Sequence, residues 1–127
     1  MRFALDTNRY VDFARDVPEV VDRIRRADRI ALPLVVLAEL RAGFLSGSRA
    51  AANERHLTTF LTSPRVEILY PTDATTHHYA RLYRGLRERG TPIPTNDIWI
   101  AALVAENDLP LFARDRHFDH LPELARI

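Results

Sequence analysis

The chain has 127 residues, 46% of them hydrophobic and 28% charged, which predicts one compact domain over residues 1–127. It holds no cysteine and no lysine, all 18 of its basic residues being arginine, which excludes disulfides, thiolate metal sites, a cysteine nucleophile, a P-loop lysine and Schiff-base chemistry. The formal charge of +1 is too balanced to mark a nucleic-acid binder, so any such footprint must be local.

Phe3-Ala4-Leu5 is a short apolar run that meets Asp6 at once, so neither a signal peptide nor a membrane span is expected, and the cytoplasm is the expected location. The run reads as a buried strand, and Asp6-Thr7-Asn8 can cap a following helix whose inward side is Tyr10, Phe13, Ala14 and Val17. Pro18 opens a second helix with Val20, Val21 and Ile24 facing in, and Arg23, Arg25, Arg26 and Arg29 on its wetter side. Ile30-Ala31-Leu32 reads as a second strand. Pro33 then opens a helix from Leu34 to Gly43, and Ser46-Gly47-Ser48 interrupts before a helix over Ala50 to Leu61.

Val66 to Leu69 is the third strand. From Thr75 to Arg89 the residues Tyr79, Leu82, Tyr83 and Leu86 recur at helical spacing, and Gly90 ends that helix. Arg81, Arg84, Arg87 and Arg89 form its solvated faces. Pro92-Ile93-Pro94 is a rigid extended connector, and Thr95-Asn96-Asp97 starts a buried helix carrying Ile98, Ile100, Ala101, Leu103, Val104 and Ala105. After Asp108 and Pro110, Leu111-Phe112-Ala113 is a fourth strand and Leu124 to Ile127 offers a fifth. Short apolar strands alternating with helices describe an α/β fold, a parallel sheet covered on both faces.

Asp6 and Asp115 each follow an apolar strand, and ligands of parallel α/β sheets bind beyond the carboxyl ends of strands. Asp97 opens a helix after the proline connector, and Glu39 is the one charge between Ile30 and Leu40. Taken singly, Asp6 and Asp97 read equally as helix-terminal groups and Asp115 as a surface ion-pair partner. Glu39 is the more informative, because a buried carboxylate must be neutralised, paired or bound to metal. Four acids in one pocket repel one another unless a cation offsets them. All-oxygen ligation favours Mg²⁺, with Mn²⁺ able to substitute, and such an ion suits hydrolysis of a phosphodiester. His117 and His120, spaced i, i+3 beside Asp115 and Asp119, raise a second idea, a transition-metal site on a helical segment.

Leu5-Asp6-Thr7-Asn8, Ala38-Glu39-Leu40-Arg41, Pro94-Thr95-Asn96-Asp97 with Trp99-Ile100-Ala101-Ala102, and Arg114-Asp115-Arg116-His117-Phe118 occur in this order along nearly the whole chain. In these residues the chain resembles a PIN-domain ribonuclease, and within that family a VapC-type toxin of bacterial or archaeal toxin-antitoxin pairs. The resemblance implies a three-layer α/β/α sandwich with a central parallel sheet, Mg²⁺-dependent endoribonuclease activity on tRNA or rRNA, a homodimer, and a VapB-like antitoxin as partner. The family's acidic residues fall on Asp6, Glu39, Asp97 and Asp115. The likeness makes Asp6 and Asp97 metal ligands, lets Asp115 complete the site, and gives Glu39 a second ion or a water to position. Asn8, or Thr7, is implied to hold a carboxylate or a bound water. Arg9 departs from the family's usual apolar residue, and an ion pair and an RNA contact both remain open for it.

Two other folds with acids at strand ends fail on the residues. A phosphoryl-acceptor domain needs an acid ending the third strand and a lysine. A haloacid-dehalogenase-like phosphatase needs a carboxylate where Asn8 stands. A non-catalytic RNA-binding or regulatory module with the same fold is the competing reading.

Overall fold

In the computed structural model, which describes residues 1–127, the first strand, β1 (Arg2–Leu5), buries Phe3, Ala4 and Leu5 completely. Three consecutive buried apolar residues after the exposed Arg2 mean that both faces of the strand are covered, and helices supply the cover. In chain order these are α1 (Thr7–Ala14), α2 (Pro18–Arg26), β2 (Arg29–Pro33), α3 (Leu34–Leu45), α4 (Ala50–Leu61), β3 (Val66–Leu69), α5 (Asp73–Glu88), α6 (Thr95–Glu106) and β4 (Leu111–Phe112). A 3-10 helix over Arg116–His120 follows. The result is the expected three-layer α/β/α sandwich.

All strand pairings are parallel, in the order β3-β2-β1-β4. The chain moves outward from β1 to β2 and β3, then crosses back through α5 and α6 to place β4 on the other side of β1. Strand order therefore reverses between β1 and β4, and a crevice opens beyond their carboxyl ends. Register fixes that crevice: Leu5 pairs with Phe112, and the Asp6 N–H donates to the Phe112 carbonyl at 3.1 Å.

α6 is apolar all round because it sits inside the protein, with Ile98 and every residue from Ile100 to Val104 buried. Several element ends differ from expectation. α5 begins at Asp73, two residues early, because the buried Thr75 accepts the Thr72 N–H at 2.9 Å and donates to Glu106 Oε1 at 2.7 Å, tying the first turn to the end of α6. α3 runs past Gly43 to Leu45, and Gly90 closes α5 with a φ of 68°.

Leu124–Ile127 forms no fifth strand. One parallel bridge joins Arg126 to Leu111, since β4 is only two residues long and offers a single register. On α1, Tyr10 is buried and Phe13 half-buried, but Ala14 is exposed and the polar Asp12 is buried instead. Val17 lies beyond α1, at the N-cap position of α2. Tyr83 is 42% exposed, so the apolar stripe of α5 is narrower than its spacing predicts. Tyr79 meets Trp99 with ring centroids 4.5 Å apart. No helix is long and apolar enough to cross a membrane.

Candidate active site

Asp6 stands where β1 hands over to α1, at the N-cap position, and its carbonyl accepts the Tyr10 N–H at 3.0 Å. Its side chain makes no capping bond, so the expected cap role is corrected and the carboxylate is left for other work. It is 4% exposed. Burial pushes its pKa up to about 7, helped by the charges of Asp97, Glu39 and Asp115 and partly offset by the Thr7 backbone amide. All four sequence-predicted acids thus share one electrostatic site at the β1/β4 crevice.

Asp97 lies in the first turn of α6, buried, and burial raises its pKa further than the contact with His117 lowers it; Asp115 and Glu39 add to the rise. Asp115 follows β4 and caps the 3-10 helix, its Oδ1 accepting the His117 N–H at 2.9 Å. The two carboxylates meet at one imidazole: His117 Nδ1 is 2.8 Å from Asp97 Oδ2 and 3.2 Å from Asp115 Oδ1.

Glu39 differs from expectation. It is half-buried rather than enclosed, and it is not unpaired, because the Thr7 hydroxyl donates to its Oε1 at 2.7 Å. Asn8 is half-buried and its side chain makes no hydrogen bond within the protein, so of the two candidates Thr7 holds the carboxylate. Arg9 takes the ion-pair alternative, with Nη1 3.3 Å from Asp12 Oδ2 and its guanidinium 4.7 Å over the Phe112 ring. His117 and His120 do not form the pair considered for a transition metal. The segment is helical, but His117 turns to Asp97 and Asp115, while the His120 carbonyl receives Arg89 Nη2 at 2.7 Å.

Asp97, Asp115 and His117 each offer a ligand atom, all within 4.8 Å of one another. With Asp6 and Glu39 in the same field, the donor set is mostly carboxylate oxygen, which fits a hard divalent cation; the nearby imidazole widens the choice toward Mn²⁺. Burial first, and the charges of Asp97, Glu39 and Asp115 after it, make a negative charge on Asp6 costly, and a divalent cation held by these carboxylates would offset that cost.

Residues 3–124 match the family model described as PIN domain. The chain belongs to the PIN-domain family. Ribonuclease VapC5 of Mycobacterium tuberculosis is 32% identical over 123 residues, 97% of this chain and 90% of that protein, which places the chain in the VapC branch of the PIN family. The crystal structure of VapBC2 from Rickettsia felis, bound to a DNA fragment from its promoter, aligns with 100% of this chain and 98% of its own at a TM-score of 0.89 and 27% identity. VapBC-5 of Mycobacterium tuberculosis, described as a toxin-antitoxin system, aligns over 99% and 98% at a TM-score of 0.73 and 31% identity. The parallel sheet with its flanking helices is therefore the PIN fold, and structurally similar VapC chains occur in VapBC complexes.

Proposed function

We propose that this chain is the ribonuclease toxin of a VapBC-type pair, a Mg²⁺-dependent endoribonuclease, with Mn²⁺ able to substitute, that hydrolyses phosphodiester bonds of tRNA or rRNA. The observation that carries the reading is the meeting of Asp97 and Asp115 at the His117 imidazole, with Asp6 and Glu39 close enough for their charges to act on the same group. The VapC relatives are named ribonucleases, which supports the same reaction class.

Asp6, Asp97 and Asp115 would hold the ion, and Glu39 would hold a second ion or position water. Bound Mg²⁺ supplies a Lewis acid that lowers the pKa of water and stabilises the departing oxygen. Thr7 fixes Oε1 of Glu39, leaving Oε2 to accept a proton from the attacking water. Water adds to phosphorus, the bond to the leaving ribose oxygen breaks, and that oxygen takes up a proton. His117 keeps the Asp97 and Asp115 carboxylates together.

The antitoxin partner is of the VapB kind, as in the complexes named above. Beside Glu39 a cleft of about 530 Å³, bordered by Thr7, Tyr10, Glu39, Phe44 and His56, mixes apolar and polar groups and suits a segment of that partner. A homodimer completes the reading.

The test is incubation of the purified chain with total tRNA and rRNA in Mg²⁺ or Mn²⁺ against EDTA, alongside Asp97→Asn. Discrete, metal-dependent fragments absent from the variant are expected. RNA binding without metal-dependent cleavage would favour the non-catalytic RNA-binding module instead.

A further inference from the structure

Asp12 on α1 has a side chain only 13% exposed, yet it serves two guanidiniums. Arg114 grips it with a fork, Nε 3.0 Å from Oδ2 and Nη2 3.3 Å from Oδ1, while Arg9 Nη1 donates to the same Oδ2 at 3.3 Å. One carboxylate between two cations leaves the cluster with a net positive charge. Arg9 is largely covered and lies over Phe112. Arg114 is different: it is 49% exposed, and its Nη1 makes no hydrogen bond within the protein.

Position gives the surplus charge a use. Arg114 directly precedes Asp115 and follows β4, whose Phe112 carbonyl receives the Asp6 amide, so its guanidinium stands at the same end of the sheet as the acids. Its two hydrogen bonds donated to Asp12 fix the direction of the guanidinium there. A polyanion approaching four carboxylates is repelled, and a pre-oriented guanidinium at the rim counters this because its planar fork matches a phosphate. A simple tie between α1 and β4 needs one arginine; the second arginine on Asp12 leaves Arg114 with charge to spare.

We propose that Arg114, fixed in place by Asp12, binds a backbone phosphate of the RNA as it enters the acidic pocket. Asp12 is then a positioning residue. The inference rests on the reading of the chain as an RNA-cleaving enzyme, which the cleavage assay tests on its own.

The experiment measures binding of a fluorescein-labelled single-stranded RNA 20-mer to the full chain in Mg²⁺, in the Asp97→Asn background, over a series of salt concentrations. Adding Arg114→Gln is expected to weaken binding about 10-fold or more and to lower the slope of log affinity against log salt by about 0.7, the value for one single-strand phosphate contact. Arg114→Lys should keep the slope while losing part of the affinity, and Asp12→Asn should fall between. On the otherwise native chain, Arg114→Gln should leave Mn²⁺ affinity equal or tighter, since a nearby cation is removed. An unchanged RNA affinity and slope in Arg114→Gln would overturn the proposal, even where the native chain cleaves RNA. If Arg114→Gln does not fold, an unaltered affinity and slope in both Arg114→Lys and Asp12→Asn overturns it. Failure of the Asp97→Asn chain to bind the RNA, together with failure of the native chain to cleave, overturns both readings.

Discussion

His117 Nδ1 lies 2.8 Å from Asp97 Oδ2, which links the first turn of α6 to the 3-10 helix after β4 across 20 positions of sequence. The same nitrogen reaches Asp115 Oδ1 at 3.2 Å, so one imidazole sets the separation of two acids that arrive on different elements. His117→Ala removes that brace. Groups that orient metal ligands are worth roughly 10- to 100-fold in metal affinity or activity. The variant is expected to lose about 10-fold in Mn²⁺ affinity by calorimetry, with cleavage falling at least as far, and wild-type affinity would refute the bracing role.

Asp6 carries the strain of the pocket. Its pKa in the folded chain is about 7 against an ordinary 3.8, so between those values the folded state holds a proton that the unfolded state has lost. Stability from this group is therefore fully present below pH ~4 and is lost as pH rises toward 7. The metal-free protein should melt at falling temperature across that window. Asp6→Asn should flatten the decline and, at pH 8, gain several °C, corresponding to something of order 2 to 4 kcal/mol. A variant that melts below the native chain at pH 8 without metal would show that the buried charge of Asp6 is not what limits stability there.

Thr7 and Glu39 give a sharper handle, because their bond joins α1 to α3 without involving the other acids. Thr7→Val keeps the shape and removes the donor, at a cost of about 1 kcal/mol in stability. The activity cost is expected to be larger, about 10-fold in kcat with little change in KM, since Glu39 loses its fixed direction toward the water. Thr7→Ser should restore most of it. Equal kcat in Thr7→Val and the native chain would remove Glu39 orientation from the mechanism.

The positions of the acids were legible because each sits at a punctuation mark in the sequence. Asp6 ends an apolar strand, Asp97 follows Pro92-Ile93-Pro94 at a helix start, and Asp115 follows Leu111-Phe112-Ala113. What holds them was not legible. His117 to Asp97, Thr7 to Glu39 and Arg114 to Asp12 are side-chain contacts across 20, 32 and 102 positions, fixed by packing rather than by local spacing. The i, i+3 spacing of His117 and His120 suggested the wrong partner, since the capped turn at Asp115 aims His117 into the crevice instead. Asp12 is illegible for the same reason: a charged residue on a short helix reads as solvated, and only the fold brings Arg114 over it beside its helix neighbour Arg9. The expected fifth strand failed on length, because an apolar Leu124-Ala125 pair says nothing of how few residues β4 offers to pair with.

Metal binding should depend on pH through Asp6. An ion that takes this carboxylate must displace the proton it carries below pH ~7, so affinity should rise with pH by up to about tenfold per unit between pH 5 and 7, then level off. Asp97, also held above the usual carboxylate range by burial, adds to the dependence at the acid end. The proton itself can be counted: Mn²⁺ titrations in two buffers of different ionisation heat should give release approaching one proton per ion at pH 6 and a clearly smaller value at pH 8. In Asp6→Asn the release at pH 6 should drop sharply, since the amide has no proton to surrender. Affinity that stays flat from pH 5 to 8, with no buffer-dependent heat, would mean that the ion binds without Asp6, and the metal site would then have to be built from Asp97, Asp115 and His117 alone.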